Sequence, residues 1–264
     1  MQNNIINKHN IKIYGTGSQT LFFAHGYGCD QNMWRFVAPH FYDNYKVVLF
    51  DHIGSGKSDA EAYNFETYSS LHAYANDVEQ ICKDLNFENI VFIGHSVSAM
   101  IGILAAINSP NLFQRLILVA PSPSYINYPN YTGGFDKEDI SELIKTLESN
   151  YMGWSKAIAP IIVGDSEKQE IEEELSNSFC AMNPDIAKHF AKVTFLSDHR
   201  EDLKNCNTAS LIIQCKPDAL APIQVGIYMH QELKNSTLKV INSPGHCPHL
   251  TTPQLVIQAI EDYL

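Results

Sequence analysis

The chain has 264 residues, 45% of them hydrophobic, and a formal net charge of -11, enough apolar material for one large core in one or two domains. That acidity excludes the basic footprint of nucleic-acid binding or of attraction to an anionic membrane. No basic stretch leads into an apolar one at the N-terminus, no apolar run nears the roughly 20 residues that span a bilayer, and six cysteines are scattered without a Cys-x-x-Cys pair, so a cytoplasmic protein with reduced thiols is expected.

Short apolar patches at Ile5-Ile6 and Ile11 to Tyr14 precede a turn at Gly15 to Ser18. Leu21 to Ala24 then reads as a buried strand. It runs into His25-Gly26-Tyr27-Gly28. Two readings stand for that loop: an ordinary tight turn, or a turn aiming backbone N–H groups at a ligand. Lys46 to Phe50 is the next strand, followed by Asp51 to Ser58. The Gly56-Lys57-Ser58 run suggests a phosphate loop. That motif needs glycine where Asp51 stands, and a carboxylate there repels phosphate. Tyr74, Val78, Ile81, Cys82 and Leu85 follow helical spacing.

Ile90 to Ile93 reads as a buried strand, and Ala99 to Ile107 as a helix. Between them lies Gly94-His95-Ser96-Val97-Ser98. A sharp strand-to-helix turn needs small flanking residues, lifts the serine hydroxyl above the sheet and aims the next N–H at the same place. Ser98 stands where glycine is usual in this nucleophile elbow. Arg115 to Ala120 is another strand, so strands and helices alternate from residue 20 to 120. That pattern argues for a mostly parallel α/β sheet covered on both faces.

Alternation then stops. Between Ser122 and Val193 the patterns are helical, with one helix beginning at Phe135 to Asp139, another over Gln169 to Phe179 and another over Pro184 to Val193. Such an insertion far exceeds an ordinary connection. It is either a set of packing helices with an aromatic core, or a lid over a pocket. Ser210 to Cys215 resumes the sheet, Ile223 to Leu233 is a helix, Thr237 to Ile241 a strand, and Pro253 to Leu264 a terminal helix. The expected organisation is a core of residues 1–121 and 196–264 with a helical lid of residues 122–195.

Loops after parallel strands gather on one side of the sheet. There the chain offers Ser96, Asp218 and His246 in that order, the order of an α/β-hydrolase triad. A serine hydroxyl needs a base, an imidazole serves near neutral pH, and a carboxylate fixes the imidazole's tautomer. His95, His230 and His249 compete with His246, and Asp51 and Asp198 with Asp218. Gly245 frees the His246 loop, and only Asp218 lies between Ser96 and His246 at a strand's end. His246 and His249 also have the spacing of a metal pair on a helix. Pro248 argues against a helix there, and neither metal nor cofactor is expected.

These residues, with Gly133-Gly134-Phe135, Asn150-Tyr151, Trp154 and Ser197 to Leu203, resemble the RsbQ-type α/β-hydrolases and the plant karrikin and strigolactone receptor hydrolases. The resemblance implies an α/β-hydrolase fold with a four-helix lid over an apolar pocket. It implies Ser96 as nucleophile, His246 as base and Asp218 as its partner, with an oxyanion hole from the N–H groups of Tyr27 and Val97. It places Tyr125, Phe135, Trp154, Ile158 and Phe195 on the pocket. The expected activity is hydrolysis of a small, largely apolar ester or lactone, coupled to ligand sensing. A receptor in which hydrolysis is secondary and a C–C bond hydrolase are the alternatives. The expected partners are a small apolar ligand and a protein docked on the lid, a PAS-domain phosphatase in the bacterial relatives and an F-box protein in the plant ones, with the chain itself a monomer.

Overall fold

Seven strands form one sheet among the residues described, which in this computed structural model are residues 2–264, with side chains from Asn4 onward. Met1, the first residue of the expected core, lies outside them. The N-terminal apolar patches form helix α1 (Gln2–Lys8) and strand β1 (Lys12–Tyr14). Strands β2 (Thr20–Ala24), β3 (Lys46–Leu49), β4 (Ile90–His95), β5 (Phe113–Val119), β6 (Ala209–Cys215) and β7 (Ser236–Ile241) follow. The sheet order is β1-β3-β2-β4-β5-β6-β7, with β1 antiparallel on one edge and every other pairing parallel.

Continuous apolar runs in the central strands reflect burial on both faces. Phe22, Val48, Phe92, Leu116, Leu118 and Ile212 point to one side, toward helices α2 (Leu71–Asp84) and α3 (Val97–Asn108) and helix α8 (Ile223–Glu232). Their neighbours Phe23, Val47, Ile93, Ile117, Val119 and Ile213 point to the other. There they meet Trp34, Phe41 and the apolar stripe of helix α10 (Pro253–Glu261). Burying a large apolar side chain stabilises the fold by about 1.5–3 kcal/mol, so both faces of the sheet hold the strand ends in place.

Four helices stand between β5 and β6: α4 (Lys137–Ser149), α5 (Tyr151–Val163), α6 (Gln169–Ala181) and α7 (Pro184–Phe195). Helix α5 packs on α6, and α4 contacts both α5 and α7. Helix α4 starts two residues later than its expected start at Phe135. Asp139 accepts the Asp136 N–H at 3.0 Å, closing the helix start there. Phe135 bridges to Ile126 instead. Short helix α9 (Pro248–Thr251) lies between β7 and α10. Its proline sits in the first turn, where a missing N–H costs nothing, so His246 precedes the helix. No helix of the described residues is long and apolar enough to cross a membrane.

The Asp51 loop also has a clear internal logic. Its carboxylate accepts the backbone N–H groups of Gln31 at 2.8 Å and Lys57 at 2.9 Å. A side chain thus occupies the acceptor position that a phosphate would take.

Candidate active site

Strand β4 delivers Ser96 at its carboxyl end, one residue before α3 begins. Ser96 has φ 56° and ψ -123°, a conformation L-residues rarely adopt. The surroundings enforce it. A Cβ on Gly94 would lie 2.5 Å from the Ser98 carbonyl, so only glycine lets α3 start this close to the strand. The Ser96 N–H donates to the Val119 carbonyl at 2.9 Å, fastening the turn to β5.

Ser98 does more than stay small. Its hydroxyl donates to the His25 carbonyl at 2.5 Å and accepts from His52 Nε2 at 2.7 Å. The backbone N–H of His52 in turn donates to His25 Nε2 at 3.1 Å. Burial holds the His52 ring neutral, its pKa well below the usual value. The elbow is therefore braced against the loop that carries Tyr27. A serine at this position was legible in the chain; the His52 contact was not, because 46 residues separate them.

The other two loops converge on Ser96. His246 Nε2 accepts from the Ser96 hydroxyl at 2.8 Å, and His246 Nδ1 donates to Asp218 Oδ2 at 2.7 Å. Asp218 Oδ1 accepts the N–H groups of Leu220 at 2.8 Å and Ala221 at 3.1 Å. All three side chains are buried. The backbone N–H of His246 donates to the Ile162 carbonyl at 2.7 Å. That carbonyl belongs to the last turn of α5, where no intrahelical partner is available. The competing residues lie elsewhere in function: Asp198 pairs with Arg200, and His230 with Ser236 at the surface. His95 turns its Nε2 to the His246 carbonyl at 2.8 Å.

The model of the alpha/beta hydrolase fold matches residues 19–253. The chain belongs to the α/β-hydrolase family. This hydrolase is 40% identical over 253 residues to a karrikin insensitive 2 receptor of Petunia hybrida, covering 96% of this chain and 94% of the relative. It is 36% identical over 258 residues to the strigolactone esterase of Arabidopsis thaliana, covering 97% and 96%. Among solved structures, a hydrolase from Oleispira antarctica superposes with a TM-score of 0.97 at 41% identity, over 99% of this chain and 96% of that one.

Beside Ser96 the hydrolase encloses a cavity of about 30 Å³. Tyr125, Trp154, Ile158 and Phe195 line it, as do Tyr27, Ser96 and His246. Phe135 does not line it. Its backbone pairs with Tyr125 and Asn127 in a small bridge, which leaves the ring half-buried against the core, away from the cavity. The Tyr125 hydroxyl lies 3.3 Å from Ser96 Oγ, and burial raises its pKa to about 12. It is therefore a neutral hydrogen-bonding group at neutral pH.

Leu175 and Phe179 of α6 also line the cavity. With Ile171 they repeat every four residues, a helical stripe visible in the chain beneath the more conspicuous glutamates. Phe179 lies against the backbone of Gly28, where an added Cβ would come within 1.9 Å of the ring. Gly28 has φ +73°, so this residue serves both the turn and the contact. Tyr27 reaches across too, its hydroxyl donating to the Ala187 carbonyl of α7 at 3.0 Å.

Proposed function

We propose that this chain is a serine hydrolase for small, largely apolar esters or lactones. The observation that carries this is the unbroken hydrogen-bonded series from Asp218 through His246 to a serine on a strained elbow. In the proposed reaction Ser96 Oγ attacks the substrate carbonyl carbon while His246 Nε2 takes the hydroxyl proton. Asp218 holds the imidazole with its N–H on Nδ1 and stabilises the cation formed. The N–H groups of Tyr27 and Val97 receive the negative oxygen of the tetrahedral intermediate. His246 then protonates the departing alkoxide. Water attacks the acyl-serine, giving its proton to His246, and the acid leaves as Ser96 recovers its proton.

The apolar lining of the cavity supports an apolar substrate. A volume of about 30 Å³ holds about two water molecules, so any ester, an aryl acetate included, requires α5 or α6 to shift. The four inserted helices act in this reading as a lid. The test is labelling by a fluorophosphonate together with turnover of an aryl acetate. Ser96→Ala should lose both. A wild-type protein that neither labels nor turns over ends the reading.

A ligand-sensing role is supported by a separate observation. The bond from the His246 N–H to Ile162 joins the proposed base to the lid, and the 40% identical relative is named as a receptor. A ligand that favours one lid arrangement over another would change the surface a partner meets. Charge reversal at the exposed Glu170 and Glu173 should then impair ligand-dependent capture of a partner while sparing ester turnover. Capture that is independent of both ligand and these charges removes this role and leaves plain hydrolysis.

A further inference from the structure

Buried polar atoms without a partner are rare, and each needs an explanation. Three of them occur on two neighbouring side chains: Nδ1 of His95 and both ring nitrogens of His249. These residues are 3% and 1% exposed, and their ring centroids are 4.3 Å apart. Cys247, buried and with a free thiol, stands beside them. One ligand atom from each of the three residues lies within 4.8 Å of the others. None of the three has a step in the hydrolysis described above. The histidine pair suggested by spacing was His246 and His249, but the fold turns His246 toward Ser96 and puts His95 in its place.

The chemistry of this cluster suits a borderline-soft divalent cation. Thiolate and imidazole are the preferred zinc ligands, and three protein ligands leave a fourth position for water. Burial and neighbouring charges lower the His95 pKa to about 3 and hold His249 well below its usual value, whereas burial and the Asp218 charge push the Cys247 thiol up, so the ion itself must drive off that proton. Both rings are therefore neutral at physiological pH, the form that binds metal. His95 and Cys247 line the catalytic cavity, so the cluster adjoins the space beside Ser96.

We propose that His95, Cys247 and His249 form a zinc site directly behind the catalytic histidine, and that zinc bound there inhibits the enzyme. Binding forms one Zn–S and two Zn–N bonds, and the Cys247 thiol releases its proton to solvent. Zinc bonds of about 2.0–2.3 Å put tetrahedral ligand atoms roughly 3.3–3.7 Å apart. The cluster, at up to 4.8 Å, must contract by about an ångström to close on the ion. Cys247 adjoins His246, whose carbonyl already contacts His95 at 2.8 Å. Contraction therefore shifts the His246 loop and tilts its ring out of line with the 2.8 Å bond to Ser96. The inhibitory half of the proposal rests on the serine-hydrolase reading; the metal site does not.

Cobalt(II) tests the site without reference to activity. One equivalent added to the full chain should give the visible bands of tetrahedral cobalt and a thiolate-to-cobalt charge-transfer band in the near ultraviolet. Zinc should displace the cobalt. Cys247→Ser should lose the charge-transfer band. His249→Gln should weaken binding by more than the roughly 10–100-fold that loss of an outer-shell partner costs. Circular dichroism of both variants checks that they fold. Aryl acetate turnover should fall with one equivalent of zinc, recover with a chelator, and in Cys247→Ser stay at that variant's own metal-free rate. A folded wild-type protein showing no thiolate band, or a band that survives Cys247→Ser, overturns the site, and ordered water is then the partner of the histidines. If the cobalt bands appear but zinc leaves turnover unchanged, the inhibitory coupling is overturned. A protein with no turnover at all refutes the hydrolase reading and leaves the cobalt result to decide the site.

Discussion

Replacing Asp218 by Asn tests the relay most directly, because the structure dictates how the amide must sit. Asp218 Oδ1 accepts two backbone N–H groups, at 2.8 and 3.1 Å, whereas Oδ2 faces His246 Nδ1 at 2.7 Å. An asparagine keeps its carbonyl oxygen on the two N–H donors, since the opposite rotation would put NH2 against both of them. Its NH2 then points at His246 Nδ1, which becomes an acceptor. The ring proton moves to Nε2, the atom that must receive the Ser96 proton. Catalysis loses its base while the loop keeps both backbone bonds. The expected fall in kcat is about 10⁴-fold, the size seen when a triad base is held in the wrong tautomer, which corresponds to about 5 kcal/mol of transition-state stabilisation. Thermal unfolding should shift far less than a change of that size in folding stability would cause. The assay is steady-state turnover of an aryl acetate beside a melting curve for the same preparation. A folded Asp218→Asn protein turning over within tenfold of wild type refutes the reasoning and assigns the orienting role to another group.

Three further outcomes follow from the geometry. Phe179→Ala should raise turnover of longer acyl esters relative to acetate by roughly tenfold or more, each accommodated methylene contributing about 1–3 kcal/mol, at a stability cost of about 3–5 kcal/mol; unchanged chain-length preference in the folded variant would show that this ring does not bound the substrate. Gly245→Ala should lower stability by about 1–3 kcal/mol and turnover with it, because Gly245 has φ +76° and an added Cβ would lie 2.0 Å from the Val163 carbonyl; a variant with wild-type melting and turnover would contradict that packing. Acid should destabilise the fold below pH 6.5, since the His95 pKa drops from 6.5 to about 3 by burial and those of His249 and His52 lie well below 6.5. In that window the unfolded chain binds more protons than the folded one, so stability is full above 6.5 and is lost as the pH falls toward 3; urea midpoints that stay level from pH 7 to 4 would rule this out.

The parallel sheet was legible because its strands are short apolar runs that end in glycine-rich or polar loops. Ser96, Asp218 and His246 were legible for the same reason: each stands just past such a run. Four of the five aromatic and aliphatic positions expected on the pocket do line the cavity. Phe135 does not, since backbone pairing to Tyr125 decides its direction and leaves no periodic trace. Helix α5 was not delimited in the sequence. It contains Gly153 and Pro160, residues that lower helix propensity, and tertiary packing outweighs them. The Ser98–His25–His52 brace and the place of His95 beside Cys247 and His249 join distant segments, so no local spacing announces them.

The bond between the His246 N–H and the Ile162 carbonyl bears on how such proteins can be rebuilt. The inserted helices are not a detachable cover. Excising them to obtain a minimal catalytic core would strip a backbone acceptor from the residue beside Ser96 and remove the surface on which Gly245 rests. A chimera carrying another relative's insertion inherits the same requirement: its second helix must end with an open carbonyl at this one point, or the recipient's serine loses its base.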